Sequence, residues 1–246
     1  MIFLIGSEKS GATWLQKCFS HLCMVAPDQN LHLLELYERL ALHVKTYANL
    51  SDDRMPEVIR NLSAAAWRAI LDGARPGIQL DMSIYPCTST HAPLRNDLHP
   101  YAVRLMREMV PDAKFVVIVR DPRAAYCASV AYLNQFRPGW GKEIDPVEYA
   151  STWQHQNIIW LNDHPTTFVK FEDLKNEFVG TLSTVFSACG LSHSAEVLSA
   201  IVTHEYSFQS VGHPDDFMTH VKPSIVRKIE DTADNLMNFL GYQPLS

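Results

Sequence analysis

The sequence predicts an α/β protein built as a three-layer sandwich, in which a central parallel sheet lies between two layers of helices. Short apolar runs typical of buried strands alternate with longer segments whose apolar residues recur at helical spacing. This alternation favours a mainly parallel sheet, because parallel neighbours are joined by crossover helices. The chain shows no internal repeat, low-complexity tract or linker, so we expect one domain over residues 1–246.

Four apolar segments are candidate strands. The first is the N-terminal run MIFLI (1–5), and the second is GIQLDMS (77–83). KFVVIV (114–119) is the clearest, since a continuous run of β-branched and aromatic residues is typical of a strand covered on both faces. TTFVKF (166–171) completes the set.

Helices are expected between these strands. After the first strand, apolar residues at i, i+3, i+4 and i+7 form an amphipathic stripe of Leu15, Cys18, Phe19 and Leu22. A long helical stretch covers about residues 31–72 with a break at SDDRMP, and YAVRLMREMV (101–110) is also helical. Asp121 and Pro122 supply an N-cap and a first-turn proline, so a helix should begin directly after KFVVIV.

The C-terminal part is expected to be mostly helical. We interpret residues 136–149 as a loop, because proline, glycine and charged residues interrupt any apolar period there. The last helix is well marked, since it has Pro223 at its start and Gly241 just beyond its end. Its apolar face consists of Ile225, Ile229, Ala233, Leu236 and Leu240.

Composition limits the class of partner. A net charge of −6 argues against nucleic acid, because binding a phosphate backbone requires a basic face. The 5 cysteines have no metal-binding spacing, and we interpret them as reduced, buried thiols. No apolar run reaches the ~18 residues of a membrane span. From these features we expect a cytoplasmic protein with no membrane span.

The segment GSEKSGATW (6–14) directly follows the first strand. A strand, a glycine turn and a helix bring backbone N–H groups and the positive end of the helix to one point, which forms an anion site. Gly6 and Gly11 fit the first half of a Walker A motif, but Ala12 stands where its lysine belongs, and Lys9 lies inside the loop. A small-molecule kinase with a P-loop is therefore an alternative that Ala12 disfavours.

The pattern K-S-G-x-T-W after a first strand resembles the phosphosulfate loop of the sulfotransferases that use 3′-phosphoadenosine 5′-phosphosulfate (PAPS), of the bacterial and cytosolic type. The resemblance implies a P-loop-like sulfotransferase fold, with adenosine 3′,5′-bisphosphate (PAP) as the product. It implies a catalytic Lys9 beside the oxygen that bridges phosphate and sulfuryl group. The implied donor-binding residues of the loop are Lys9, Ser10, Gly11, Ala12, Thr13 and Trp14.

The loop also suggests how the donor is activated. Ala12 replaces the family's threonine, which removes one hydroxyl contact but keeps a backbone N–H. A sulfuryl group carries less negative charge than a phosphoryl group, so positioning and neutralising the leaving oxygen should suffice. We therefore expect no metal requirement, because the Lys9 ammonium supplies the positive charge.

A second segment, KFVVIVRDPRAAYCAS (114–129), resembles the part of this family that binds the 3′-phosphate. The resemblance implies that Arg120 and Ser129 are ligands. Arg120 stands at the end of a strand and its planar guanidinium suits a phosphate. The family's serine usually falls at the place of Ala128, and an offset of one residue rotates a helical side chain by about 100°.

Three later segments resemble the same family in the expected order. KFEDL (170–174) resembles its Y-E-D-L at the end of the fourth strand, which implies Phe171 near the adenine. YSFQSVGHP (206–214) resembles a stretch whose Ser-Phe pair borders the adenine, here Ser207 and Phe208. MNFLGY (237–242) resembles the C-terminal helix of many bacterial members.

One departure concerns the 3′-phosphate. Cytosolic members carry R-K-G-x-x-G-D-W before the last helix, whereas this chain reads DDFMTHVKPS with only His220 and Lys222 as basic residues. Either Lys222 substitutes for the family's arginine and lysine, or Arg120 carries more of the charge.

Four residues are candidates for the general base that an acceptor hydroxyl requires. His91 ranks first, because it has Thr90 and Pro93 around it, as in the T-H-x-P of cytosolic members. Asp81 ranks second, since it ends a strand at which glycan-modifying members often carry a catalytic glutamate. The other two candidates are Glu35 and His99.

The resemblance implies a sulfotransferase that transfers the sulfuryl group to a hydroxyl or amine of a small molecule, glycan, lipid or peptide. A catalytically silent nucleotide-binding relative remains an alternative. In this fold, residues 31–72, 84–99 and 132–150 would line the acceptor pocket. Their aromatic residues suit either a ring-bearing acceptor or the core: Tyr37, Trp67, Tyr85, Tyr132, Phe136, Trp140 and Tyr149.

Overall fold

The fold is taken from a computed structural model, which describes residues 1–25, 33–48, 51, 53–74, 78–82, 102–136, 144–205 and 217–245. Within these ranges the chain forms a sheet of five strands: β1 (Ile2–Gly6), β2 (Met24–Val25), β3 (Ile78–Asp81), β4 (Lys114–Val119) and β5 (Thr167–Lys170). The strand order is β2-β3-β1-β4-β5, and every pair is parallel.

The register fixes which strand ends meet. Gly6 at the end of β1 lies opposite Ile118, and Val119 at the end of β4 lies opposite Lys170. Asp81, the last residue of β3, lies opposite Phe3 instead. The carboxyl ends of β1, β4 and β5 therefore lie close together, while β3 ends lower in the sheet.

Helices connect the strands. They are α1 (Ala12–Phe19), α2 (Leu33–Tyr47), α3 (Met55–Arg68) with a π-helical continuation (Ala69–Ala74), α4 (Ala102–Met109), α5 (Pro122–Phe136), α6 (Pro146–Asn162), α7 (Phe171–Asn176), α8 (Phe178–Ala188), α9 (Ala195–Glu205), α10 (Phe217–His220) and α11 (Pro223–Phe239).

Successive strand residues enter two different cores, because side chains alternate between the faces of a sheet. Phe3 and Ile5 of β1 pack with buried residues of α3, α4, α5, α6 and α11. Ile2 and Leu4 pack on the opposite face with buried residues of α1, α7, α8 and α9. Both faces are covered by helices, so the predicted three-layer sandwich with a central parallel sheet is confirmed.

Most predicted elements are present with small shifts. β4 covers residues 114–119 as expected, and the helix after it begins at Pro122, where the Asp121 carboxylate accepts a hydrogen bond from the Arg123 N–H at 2.9 Å. The last helix begins at Pro223, and Gly241 after it has φ 76°. The four cysteines in the described ranges (Cys18, Cys23, Cys127 and Cys189) are buried and free.

Two predictions about the elements are wrong. The strand Met24–Val25 was not expected, because two residues carry no period, and KFEDL consequently follows the fifth strand rather than the fourth. The predicted loop 136–149 is too long at its C-terminal end. Helix α6 already begins at Pro146, because Asp145 caps it by accepting hydrogen bonds from the N–H groups of Val147 and Glu148.

Candidate active site

The candidate site lies where the carboxyl ends of β1 and β4 meet. The chain proceeds from the central β1 to strands on one side of the sheet and then crosses to β4 on the other side. In open parallel sheets, such a reversal leaves a crevice at the carboxyl ends of the two strands, and ligands bind there. The loop that follows Gly6 and the segment that begins at Arg120 border this crevice.

The loop 7–11 is wound tightly into the start of α1. Lys9 has φ 60° and Gly11 has φ 97°, so two of its residues have left-handed backbone conformations. The N–H of Ser10 donates to the carbonyl of Ser7 at 3.1 Å. The first N–H groups of α1 have no partner within the helix, and they meet the loop at the positive end of the helix dipole. This geometry suits an anion.

Gly6 and Gly11 allow the backbone around the loop to pack closely against neighbouring side chains. A Cβ at Gly6 would overlap with the Ser10 hydroxyl, and a Cβ at Gly11 would overlap with the ring of Phe171. Gly11 therefore has two reasons to be glycine, its positive φ and this close approach. The close contacts of Gly6 with Ser10 and of Gly11 with Phe171 therefore explain why both positions are glycine.

Arg120 joins the loop to β4. Its side chain is buried, with 3% of the residue exposed, and Nη1 donates a hydrogen bond to the backbone carbonyl of Lys9 at 3.2 Å. The guanidinium carbon also lies 4.3 Å from the centre of the Phe171 ring, within the range of a cation–π contact. Arg120 therefore holds the turn at Lys9 against the end of β4.

The Lys9 ammonium lies over an aromatic ring from α5. Its Nζ is 3.1 Å from the ring centre of Tyr132. Burial lowers the pKa of Lys9, and the neighbouring Glu8 carboxylate opposes that shift. Burial also raises the pKa of Glu8, which Lys9 opposes in turn. The two loop residues form a partly desolvated pair of opposite charges.

Three serine hydroxyls near these elements are buried, and they lack a hydrogen-bond partner within the described part of the chain. They are Ser7 and Ser10 in the loop and Ser129 on α5. A buried hydroxyl without a partner costs stability, so such groups are expected to bind something further. Both Ala128 and Ser129 are buried, so the offset serine lies inside the fold.

Phe171, which was predicted to lie near the adenine, packs next to the loop. Phe171 contacts Trp14 edge-to-face at 5.6 Å between ring centres, and Trp14 stacks on Phe178 at 5.3 Å. The Trp14 indole N–H donates to the backbone carbonyl of Glu205 at 2.9 Å. Glu205 is the last residue of α9, directly before residues 206–216, so Trp14 fixes the point from which that segment departs.

A buried ionic cluster holds the segment after Arg120. Arg123 pairs with Asp121 at 2.6 Å and with Glu230 of α11 at 2.5 Å, and it also donates to the carbonyl of Gln243. Glu172 accepts hydrogen bonds from the Asp121 N–H at 3.0 Å and from the Tyr242 hydroxyl at 2.8 Å. Burial raises the pKa of Glu172. The C-terminal residues thereby fix the backbone that presents Arg120.

Asp81 and Lys222 are predicted site residues that lie outside both the loop and the segment that begins at Arg120. Asp81 is fully buried and lies level with Phe3, three residues below the end of β1. Lys222 is exposed at the N-cap position of α11. His91, His99, Ser207 and Phe208 lie outside the described residues, and of Glu35 only the place in α2 is described.

The predicted acceptor aromatics divide into two groups. Trp67 is fully buried in the core, and Tyr37 and Tyr149 pack against that core. Tyr132 is 36% exposed and lies under Lys9. The side chain of Phe136 and the residues Tyr85 and Trp140 are outside the description.

Sequence reasoning did not include Glu8, Arg123 and Glu172 among the site residues. Glu8 could have been found from its place next to Lys9 in the loop. The Arg123–Glu230 and Glu172–Tyr242 contacts join residues that are 107 and 70 positions apart, and no local pattern signals them.

A parallel α/β sandwich whose central strand leads through a glycine turn into a helix is an architecture that suits phosphate binding. The sequence model of the sulfotransferase family matches residues 2–195, which is more than half of the chain. The chain therefore belongs to the sulfotransferase family. Comparison with curated protein sequences gives no match.

Solved structures with the same fold include sulfotransferases. The sulfotransferase domain of the Synechococcus PCC 7002 olefin synthase has a TM-score of 0.55 at 17% identity, over 99% of this chain and 94% of that one. The sulfotransferase domain from the curacin biosynthetic pathway has a TM-score of 0.55 at 15% identity, over 100% and 98%. Mouse sulfotransferase SULT7A1, solved in complex with PAP, has a TM-score of 0.54 at 13% identity, over 96% and 84%.

The described residues contain neither a membrane-spanning helix nor a cluster of metal-ligating side chains. None of the helices in these ranges is long and apolar enough to cross a membrane. Nor do these ranges bring together three His, Cys, Asp or Glu side chains in a way that could hold a metal ion.

Proposed function

We propose that the protein transfers a sulfuryl group from PAPS to a hydroxyl or amine of an acceptor molecule. The observation that carries this proposal is the hydrogen bond from Arg120 to the carbonyl of Lys9. This bond joins the loop at Lys9 to the end of β4 at Arg120. The family resemblance assigns these two segments to opposite ends of the donor. The sulfuryl end would lie at Lys9 and the 3′-phosphate at Arg120.

The residues present fit such a donor. Ser10 and Ser129 have buried hydroxyls without a partner in the described ranges, one in the loop and one on the helix that follows Arg120. The loop and the start of α1, residues 9–14, would bind the 5′ end, and Arg120 with Ser129 would bind the 3′-phosphate. Phe171, Ser207 and Phe208 would border the adenine, and Lys222 would add charge near the 3′-phosphate.

When bound, PAPS supplies an activated sulfuryl group whose leaving oxygen gains negative charge as the bond breaks. The Lys9 ammonium is the group of this chain that would neutralise the developing charge. Its partly buried position strengthens that interaction, because the local dielectric is lower than in water. Because Arg120 also holds the backbone of Lys9, it would have two roles: it would bind the donor and it would orient the lysine.

The acceptor would approach Lys9 at the carboxyl ends of the strands, on the side of the sheet that carries Phe3. Asp81 lies opposite Phe3 and points to the same face, where Trp67 and Tyr149 pack. We propose His91 as the general base and Asp81 as the second candidate, for a proton that leaves the acceptor oxygen or nitrogen. The acceptor is a small molecule, glycan, lipid or peptide.

The donor is tested by calorimetry with PAP, with and without added magnesium, and with ATP·Mg as the competitor. We expect clear binding of PAP that does not depend on magnesium. Tighter or equal binding of ATP·Mg would contradict the proposal and favour the kinase alternative. Transfer is then tested with radiolabelled PAPS against a broad panel of alcohols, phenols, sugars, amines and peptides. If PAP binds and no member of the panel is sulfated, the catalytically silent alternative is favoured.

A further inference from the structure

The contact between Lys9 and Tyr132 is the closest cation–π contact among the described residues. The ammonium nitrogen lies 3.1 Å from the ring centre, whereas the other such contacts in these ranges lie at 4.3 Å or more. Tyr132 is 36% exposed, so its ring is not part of the packed core. The ring faces the loop and keeps an edge toward solvent.

The placement of Tyr132 follows from α5. Arg120 and the Asp121 cap fix the start of this helix at the end of β4. Residues three apart lie on the same face of a helix, so Tyr132 lies one turn beyond Ser129 on the side facing the loop. The helix that would contribute Ser129 to the 3′-phosphate thus also delivers an aromatic ring to the ammonium of Lys9.

Lys9 needs such a restraint. A lysine carries its charge on a flexible four-carbon stem, so the ammonium samples many positions unless something holds it. The carboxylate of the neighbouring Glu8 attracts the ammonium as well, and it raises the pKa of Lys9. A ring face attracts the ammonium without accepting a hydrogen bond at an oxygen or nitrogen, so this contact does not compete with a leaving oxygen for the N–H groups.

We propose that Tyr132 is a positioning residue for Lys9, which holds the ammonium over its ring at the mouth of the loop and presents its N–H donors to the leaving oxygen. The inference rests on the proposed function, because the leaving oxygen is that of PAPS. It adds to that function a residue that acts through Lys9 and not through the donor. The phenol hydroxyl has no part in this role, so we expect Tyr132→Phe to preserve it.

The contact itself is tested without any donor. Lysines are labelled by reductive methylation with ¹³C-formaldehyde, and the Lys9 signal is assigned as the one missing in Lys9→Arg. A methyl group above a ring face is shifted upfield by the ring current. We expect an upfield Lys9 signal in the wild-type protein and in Tyr132→Phe, and its return to the ordinary lysine position in Tyr132→Leu. An ordinary position in the wild type, or an upfield signal that persists in Tyr132→Leu, would overturn the inference.

The role is tested by kinetics with PAPS. We expect Tyr132→Leu to lower kcat by roughly 5- to 30-fold, the range for loss of a partly desolvated cation–π contact, while Tyr132→Phe stays within about 2-fold of wild type. PAP lacks the sulfuryl group, so its affinity should change less than kcat. Phe239→Leu, at an exposed aromatic residue at the end of α11, is the matched control and should leave kcat unchanged.

The outcomes separate the two proposals. A wild-type protein that binds no PAP and transfers no sulfuryl group would overturn the proposed function, and the role of Tyr132 with it. An active wild type, with the upfield signal lost in Tyr132→Leu and kcat unchanged or raised, would overturn the role of Tyr132 alone. Equal losses of kcat in Tyr132→Phe and Tyr132→Leu would also overturn it, because the hydroxyl would then be the important group.

Discussion

Arg120 donates a hydrogen bond to the backbone carbonyl of Lys9, a residue 111 positions earlier in the chain, at 3.2 Å. The same guanidinium lies 4.3 Å from the centre of the Phe171 ring, which itself packs on Gly11. Loop, strand end and aromatic ring therefore form one unit around a buried cation. A change at Arg120 should affect the loop as well as any anion that Arg120 binds.

We expect Arg120→Ala to weaken PAP binding by roughly 10- to 100-fold, because hydrogen bonds to a charged group are lost together with the support of the loop. Arg120→Lys should recover little of this affinity, since an ammonium cannot bond to the Lys9 carbonyl and present a planar fork to a phosphate. Calorimetry with PAP measures the effect. Arg227→Ala, at an exposed arginine of α11, is the control. Wild-type affinity in Arg120→Ala would remove Arg120 from the site.

Lys9→Ala should lower kcat by roughly 10²- to 10³-fold, the range for loss of one donor to a developing negative charge. PAP affinity should change much less, because PAP lacks the sulfuryl group beside which Lys9 would lie. Turnover is measured with saturating PAPS, and Lys228→Ala on the exposed face of α11 serves as the control. A loss of PAP affinity with kcat unchanged would show that Lys9 only binds the donor.

The pH dependence of kcat/KM, which reports groups of the free enzyme, should have an alkaline limit set by Lys9, which must carry its proton to neutralise the leaving oxygen. Burial lowers the pKa of Lys9, so activity should fall with rising pH below the ordinary range of lysine. The Glu8 carboxylate raises this pKa, and its removal in Glu8→Gln should lower it further. The alkaline limit should therefore move to lower pH in Glu8→Gln. A limit that stays in place or moves to higher pH would assign it to another group.

Gly11→Ala should destabilise the protein, because alanine at φ 97° is strained and its Cβ would overlap with the Phe171 ring. We expect the free energy of unfolding to fall by about 1–2 kcal/mol from the backbone strain alone, with more from the overlap. Urea denaturation measures the change. Gly180→Ala on α8 is the matched control, since its Cβ meets nothing within 4 Å and helical alanine is favoured over glycine by about 1 kcal/mol. Equal stability of Gly11→Ala and wild type would mean that the loop can move away from Phe171.

The elements around the loop could be predicted because each has a strong local signal. β4 is a continuous apolar run, α5 begins with Asp121 and Pro122, and Lys9 and Arg120 each stand directly after a strand. Parallel strands end at one edge of the sheet, which explains why these two residues lie close together. The strand Met24–Val25 could not be found in this way, since it depends on pairing with β3 and not on its own pattern.

The interactions that hold the site were harder to predict, because they join distant positions. The pairing of Arg123 with Glu230 depends on how α11 packs beside α5, and the contact of Lys9 with Tyr132 depends on the left-handed turn at Lys9. Tyr132 was noted only as an aromatic residue of a possible acceptor pocket. A helical period shows that Ser129 and Tyr132 share a face, but only the turn of the loop brings the ammonium to the ring.

The last prediction concerns the general base. An acceptor hydroxyl must lose its proton as its bond to sulfur forms, so the base must reach that hydroxyl. Asp81 lies three residues below the end of β1, about 10 Å along the sheet at strand spacing, and it is fully buried. That depth argues against Asp81, and His91 keeps its first rank from its flanking Thr90 and Pro93. We expect His91→Asn to lower kcat by roughly 10²- to 10⁴-fold with unchanged PAP affinity, and Asp81→Asn to lower kcat by less than about 10-fold. His99→Asn and Glu35→Gln test the two remaining candidates under the same saturating PAPS. If Asp81→Asn abolishes turnover while PAP still binds and His91→Asn stays active, the carboxylate is the base, and the enzyme resembles the glycan-modifying members more than the cytosolic ones.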